Sequence, residues 1–105
     1  PNRSVDAATA AGAGDDFGLC GSGGHRRGKL TWFKNVAGTG SWTALQVDIE
    51  ASVDGTNWFQ VDTSSTTVDS QASIAMEAWQ YVRANVITAT IASLAPTVTV
   101  DIVVQ

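Results

Sequence analysis

The sequence predicts an all-β protein: an antiparallel β-sandwich of jelly-roll-like type, preceded by an extended glycine-rich arm. Several segments alternate apolar and polar residues with a period of two, which is the pattern of half-buried strands, and helical periodicity is nearly absent. Seven of the ten glycines fall within the first 28 of the 105 residues. The length fits one domain of ordinary size. We therefore divide the chain into an arm, 1–28, and a sandwich domain, 29–105.

The arm has too few large apolar side chains to form a core of its own. Phe17 and Leu19 are its main large apolar residues, among many glycines and alanines. Because glycine loses much backbone entropy on folding, we expect the segment to be disordered when free or ordered by lying on another surface. Its piece DDFGLCG is a candidate edge strand with Phe17 and Leu19 on one face.

The strands of the sandwich follow from the alternation after the arm. In WTALQVDIEAS one face carries Leu45, Val47, Ile49 and Ala51, and the other carries mostly polar residues. WQYVRANVITA and PTVTVDIVV show the same period, and KLTWFKN, NWFQVD and ASIAM are shorter candidates. About six strands separated by turn residues are typical of an antiparallel sandwich.

The segment ASVDGTNWFQV predicts a tight turn between two strands. Asp54 can bond its own backbone and Gly55 tolerates positive φ, so the pair explains the turn without a ligand. Given the core face of the preceding strand, alternation puts Phe59 and Val61 toward the core and Trp58 outward.

The four tryptophans predict a packing partner beyond the core. Tryptophan is enriched at protein interfaces and is seldom fully buried. Trp32 is followed by Phe33, and Trp58 by Phe59, so each pair places one large ring on the face away from the core. The alternative is that the tryptophans close the ends of the sandwich. We select Trp32 and Trp58 as candidate interface residues.

Four of the six basic residues lie close together in an otherwise acidic chain: Arg26, Arg27, Lys29 and Lys34. A basic patch on an extended arm suits docking on an acidic protein surface. Protection of a strand edge against aggregation explains the same charges equally well. Arg26, Arg27 and Lys29 join the candidate interface, together with Phe17 and Leu19.

No catalytic, cofactor-binding or metal site is predicted, and we expect no enzymatic activity. His25 and Cys20 are the single histidine and the single cysteine, and both lie in the arm, which offers a catalytic pair no rigid support. GSGGHRRGK has the glycine spacing of a phosphate-binding loop, but Leu30 stands where that loop requires a hydroxyl residue.

Composition also bears on partners and location. A net charge of −4 gives no support to nucleic-acid binding, which normally needs a basic excess. No run approaches the roughly 20 apolar residues that span a bilayer, and PNRSVDAATA lacks the apolar core of a signal peptide. With one unpaired cysteine, and Pro1 as the residue left after removal of an initiator methionine, we expect assembly in a reducing cytoplasm.

Two signatures together resemble known families. LQVDIEASVDGTNW, followed about twenty residues later by WQYVRANV, is similar to the S-x-D-G-x-x-W and Y-V-R pattern of discoidin-like β-sandwiches. In shorter form it resembles small all-β proteins encoded among bacteriophage virion genes. There a glycine-rich N-terminal region precedes the first signature, and a final strand rich in valine and threonine follows the second.

The bacteriophage resemblance implies a head decoration or cement protein. Such a protein sits on the capsid exterior as a homo-oligomer, with a trimer favoured, and stabilises the shell of major capsid protein. The discoidin resemblance implies the alternative, a carbohydrate-binding module on the virion surface or tail. Asp54, Asn57 and Trp58 or Trp42 would then supply an aromatic platform with polar groups beside it.

Overall fold

The computed structural model describes residues 2–18, 29–75 and 79–104. Seven strands make up one antiparallel sheet: β1 (Asn2–Ala8), β2 (Gly12–Ala13), β3 (Phe17–Gly18), β4 (Lys29–Ser52), β5 (Trp58–Ser64), β6 (Ser70–Ala75) and β7 (Tyr81–Val104). The described residues contain no helix, and so none that is long and apolar enough to cross a membrane. The prediction of an all-β antiparallel fold is confirmed.

A long two-stranded ribbon of β4 and β7 organises the sheet. The two strands have 24 residues each and pair from Leu30–Val104 to Ser52–Tyr81, with three register shifts on the way. The ribbon folds over on itself. One layer consists of β6, the first half of β4, the last half of β7 and β1, and the other of β5, the second half of β4, the first half of β7, β2 and β3.

The core lies between these two layers. The predicted inward row of the second half of β4, Leu45, Val47, Ile49 and Ala51, is buried throughout. The other buried apolar residues come from β1, from both halves of β7 and from the rest of β4: Val5, Leu30, Trp32, Trp42, Val82, Ala84, Val86, Val98, Val100 and Ile102. Alternation in the sequence therefore identified most of the core correctly.

The ribbon turns from one layer to the other at a segment that we call the ribbon bend, residues 37–46 of β4 and 87–97 of β7. Gly38 and Gly40 have φ of +79° and +97° there, which glycine adopts readily. They also let the strands approach closely. A Cβ at Gly38 would lie 2.5 Å from the Ala95 carbonyl oxygen, and one at Gly40 would collide with the carbonyl oxygen of Ser93.

Residues 2–18 belong to the sandwich itself. β1 pairs with the end of β7, from Asn2–Ile102 to Ala8–Val98, and Val5 lies in the core. The Ser4 hydroxyl accepts a hydrogen bond from Ala84 N at 2.8 Å and thereby ties β1 to the first half of β7. This part of the predicted arm is thus ordered by lying on the chain's own sheet. The predicted boundary at residue 28 falls outside the described residues.

Candidate functional site

The two sequence signatures meet at one end of the sandwich and form what we call the Trp58 cluster: Glu50, Ser52, Asp54, Gly55, Trp58, Tyr81 and Arg83. Ser52 pairs with Trp58 on one side and with Tyr81 on the other. Directly paired residues of an antiparallel sheet point to the same face. Residues that are far apart in the chain therefore form one continuous outer surface.

The turn at the centre of this cluster satisfies its own polar groups. The Asp54 carboxylate accepts hydrogen bonds from the backbone N–H groups of Thr56 and Asn57 at 2.8 Å each, and from Asn57 Nδ2 at 2.7 Å. The Ser52 hydroxyl donates to Asp54 Oδ1 and accepts from Gly55 N. These bonds, chiefly the one from Asn57 N, hold the pKa of Asp54 well below its usual value of 3.8. The prediction that Asp54 and Gly55 form a turn is confirmed.

Gly55 completes the turn with φ of +80° and lies against the Tyr81 ring. A Cβ at this position would be 3.3 Å from Tyr81 Cε2. The glycine of the first signature and the tyrosine of the second are therefore in contact. The D-G and Y-V-R motifs are partners in packing.

Arg83 links the charged and aromatic parts of the cluster. Its guanidinium lies 4.2 Å from the centroid of the Trp58 ring, and Arg83 Nε donates to Glu50 Oε1 at 2.8 Å. The second Glu50 oxygen accepts from Asn85 Nδ2 at 3.3 Å. Cation–π contacts of this kind contribute about 0.5–2 kcal/mol. Sequence reasoning singled out Trp58 but missed Arg83, although Y-V-R contains it.

Trp58 lies on the outer face, as predicted, and is half-buried under Arg83. Its neighbour Phe59 pairs with core residue Ala51, but the side chain remains 44% exposed and meets Trp79 edge-on at 6.4 Å. Phe59 therefore lies on the core-facing side of its strand, as predicted, but its side chain is less buried than we expected. A register shift after residue 49 of β4 leaves Val61 without a paired residue, and it packs half-buried against the core.

Trp32, selected as a candidate interface residue, is the inward ring of its pair. Trp32 is 3% exposed and belongs to the core, and its Nε1 donates to Asp62 Oδ2 at 2.7 Å. Phe33 is the outward ring of that pair. The inward row of the first half of β4 therefore contains Trp32, because a partner for the indole N–H is available across the core on β5.

Lys34 lies in the same inward row and so does not belong to a surface patch. It is 1% exposed, and its ammonium donates to Ser64 Oγ at 2.8 Å, to Thr66 O at 2.5 Å and to Thr66 Oγ1 at 3.0 Å. Burial lowers the pKa of Lys34, and the nearby Asp69 carboxylate opposes that shift. Three protons of the ammonium thus meet three oxygens.

The other candidates are placed as follows. Lys29 is exposed at the start of β4 and pairs with Ala75. Phe17 pairs through its backbone with Val82, so the predicted edge strand in DDFGLCG exists as β3. Leu19, Arg26 and Arg27 lie outside the described residues.

A shallow cleft of about 500 Å³ lies on the outer face of the first layer. Phe33, Asn35, Asp69, Gln71 and Asp101 are among the residues that line it. Two of its carboxylates are already engaged: Arg3 donates to both oxygens of Asp101, and Val36 N donates to Asp69 Oδ1. Within the described ranges, no three histidine, cysteine or acidic side chains are gathered where they could hold a metal ion.

Comparison with known proteins yields a likeness of fold. The crystal structure of the SPBc2 prophage-derived protein YomS matches this chain with a TM-score of 0.66, over 98% of this chain and 89% of that one. The two sequences are 18% identical. No family model matches the chain, and no curated protein matches it.

Proposed function

We infer that this chain is a structural protein of a bacteriophage virion, specifically a capsid decoration or cement protein. It binds the major capsid protein from the capsid exterior and stabilises the shell, works as a homo-oligomer with a trimer favoured, and catalyses no reaction. Assembly takes place in the host cytoplasm. The observation that carries this proposal is the shared fold, over nearly the whole chain, with a prophage-derived protein.

The geometry supports docking through the end of the sandwich where the ribbon strands begin and finish. β3 pairs there with Val82 and Tyr81, and β4 begins there at exposed Lys29. The sequence between β3 and β4 contains Arg26 and Arg27. An acidic surface on the capsid protein would complement these three cations.

The Trp58 cluster lies on the second layer near the same ends of the strands. Because its turn and its Arg83–Glu50 pair are satisfied internally, it presents a preorganised aromatic and charged surface. Preorganisation lowers the entropic cost of binding. We assign it to the contact with the capsid.

Co-sedimentation with capsids assembled from the major capsid protein of the same virus tests this function. The wild-type chain is expected to pellet with the capsids and to raise their resistance to heat. A double variant, Arg26→Gln with Arg27→Gln, should bind at least tenfold more weakly. A chain that stays in the supernatant would exclude the decoration function.

A matched control distinguishes the effect of removing Arg26 and Arg27 from the effect of changing the net charge. Thr67→Glu with Val68→Glu also makes the chain more negative by two charges, at two exposed residues between β5 and β6. Binding of this control should remain close to that of wild type. Equal loss in both variants would show that net charge, rather than the arm, governs docking.

Carbohydrate binding is the second candidate function. The shallow cleft lined by Phe33 is a better candidate for the glycan site than the turn beside Trp58. Phe33 is 39% exposed, and the exposed Asn35 and Gln71 line the same cleft. At the turn, by contrast, Asp54 and Asn57 are bonded to each other and Arg83 covers Trp58. A glycan array with wild type and Phe33→Ala tests this, and binding lost in the variant would support it.

A further inference from the structure

We propose that the ribbon bend is the surface through which copies of this chain associate. This inference adds a surface to the oligomer of the proposed function, on which it rests, and its test needs only the chain itself. Failure of the test is therefore distinguishable from failure to bind capsids.

The bend carries no charged side chain. Residues 37–46 read AGTGSWTALQ and residues 87–97 read ITATIASLAPT, while all six basic and ten acidic residues lie elsewhere. Proteins ordinarily protect exposed strands with charges, lysine above all. The cores of protein interfaces, in contrast, are depleted in charge. The lack of charge in the bend agrees with this property of interface cores.

Both outer edges of the bend are open within the described ranges. β6 and β5 pair with β4 only at 29–34 and 47–52. On the other edge, β1 and β2 reach β7 no further than Val98 and Val86. A two-stranded ribbon is marginal in water by itself, and its free N–H and C=O groups are a template for another strand.

Leu94 is the most unusual residue of the bend. It is 76% exposed and has φ of +59°, a conformation that is costly for a branched side chain. Asparagine or glycine would adopt this backbone more easily and would expose less apolar surface. Ile87 and Ile91 are further exposed apolar residues of β7 in the bend. Strain of this kind persists at functional sites, and contact with a partner explains both features.

Trp42 adds a separate observation. Its side chain is buried within the bend, yet its Nε1 has no hydrogen-bond partner in the described part of the chain. Buried indole N–H groups usually find an acceptor. Polar groups of the bend are therefore not all satisfied within the described part of the chain.

The open edges of the bend and its lack of charge suit a second copy as the occupant. The chain has a net charge of −4, so two copies repel each other wherever their charged ends meet. At the bend they approach without that repulsion. A second copy also offers the same open edges, so that strand addition satisfies both copies at once.

Sedimentation of the full chain over a range of concentrations tests this inference. Wild type should associate, and Leu94→Asp should raise the dissociation constant at least tenfold. The matched control is Val53→Asp, because Val53 is 61% exposed and lies at the other end of the ribbon from the bend. The control should associate like wild type. A monomeric wild type, or equal weakening by the two substitutions, would overturn the proposal.

Leu94→Asn keeps the experiment decisive if the aspartate variant folds poorly. Asparagine relieves the backbone strain without adding charge, so we expect a higher Tm together with weaker association. A purely structural role for Leu94 predicts no weakening. Unchanged association of a folded Leu94→Asn variant would count against the bend as the interface.

Discussion

The Trp58 cluster and the ribbon bend both include parts of the same two long strands. They differ in how their polar groups are hydrogen-bonded and in which residues have positive φ. In the Trp58 cluster the positive-φ residue is a glycine, and Asp54, Arg83 and Glu50 are bonded within the chain. In the bend, Leu94 has positive φ while exposed. The polar groups of the first region are satisfied within the folded chain, whereas the second region is the surface that we propose for association between copies.

The largest loss of stability is expected from substitution of Trp32, which lies in the core near one end of the ribbon. Trp32→Ala removes a buried ring and the donor to Asp62, and should lower the free energy of unfolding by about 4 kcal/mol. Trp32→Phe keeps most of the ring and should cost about 1–2 kcal/mol. Urea denaturation measures both. Equal losses would mean that the hydrogen bond to Asp62, rather than packing, dominates.

The bend should be intolerant of substitution at its glycines although its edges are open. Gly40→Ala forces a side chain into positive φ and onto the Ser93 carbonyl, and should cost about 3 kcal/mol. The control is Gly18→Ala, because a Cβ at Gly18 would lie 3.9 Å from its nearest neighbour, the Gln80 carbonyl oxygen. Thermal unfolding of the two variants should separate them clearly. Similar Tm values would contradict the strand geometry described for the bend.

The buried charge of Lys34 should make the stability of the protein depend on pH. Because burial lowers its pKa, the unfolded chain binds more protons than the folded chain between that lowered pKa and 10.5. Wild-type stability at this site should therefore rise with pH through that interval. Lys34→Met should be within about 1 kcal/mol of wild type at pH 7, since Ser64 keeps a bond to Ser70.

The measurement for Lys34 is urea denaturation of both proteins from pH 7 to pH 10.5. The alkaline rise should be present in wild type and absent in Lys34→Met, and other titrations cancel in the difference. Parallel profiles would contradict the lowered pKa.

The smallest expected effect is at the exposed turn. Hydrogen bonds depress the pKa of Asp54, so its contribution to stability is complete above the ordinary carboxyl value of 3.8 and is lost as pH falls below it. Asp54→Asn should lower the Tm slightly at pH 7. The difference between the two proteins should shrink steadily from pH 4 toward pH 2. A difference that does not change with pH would mean that the charge of Asp54 is unimportant.

Alternation and turn chemistry predicted the row from Leu45 to Ala51, the Asp54–Gly55 turn and the outward position of Trp58. They could not decide which of Trp32 and Phe33 faces the core, because the choice depends on Asp62, which lies across the core. The same choice places Lys34 in the buried row. The ribbon bend was also missed. Glycine-rich AGTGS is typical of a break between strands, but here positive φ bends one continuous strand.

The pairing of β1 with the end of β7 has a consequence for biosynthesis. A ribosome makes Asn2 early and Ile102 late, yet these residues are neighbours in the finished sheet. Val5 therefore has no pairing partner in the sheet until the last half of β7 has been made. Pairing between such distant residues is slow because a long loop must close first. The sandwich is closed only after β7 has left the ribosome, so β1 is locked in place after strands that follow it in the chain.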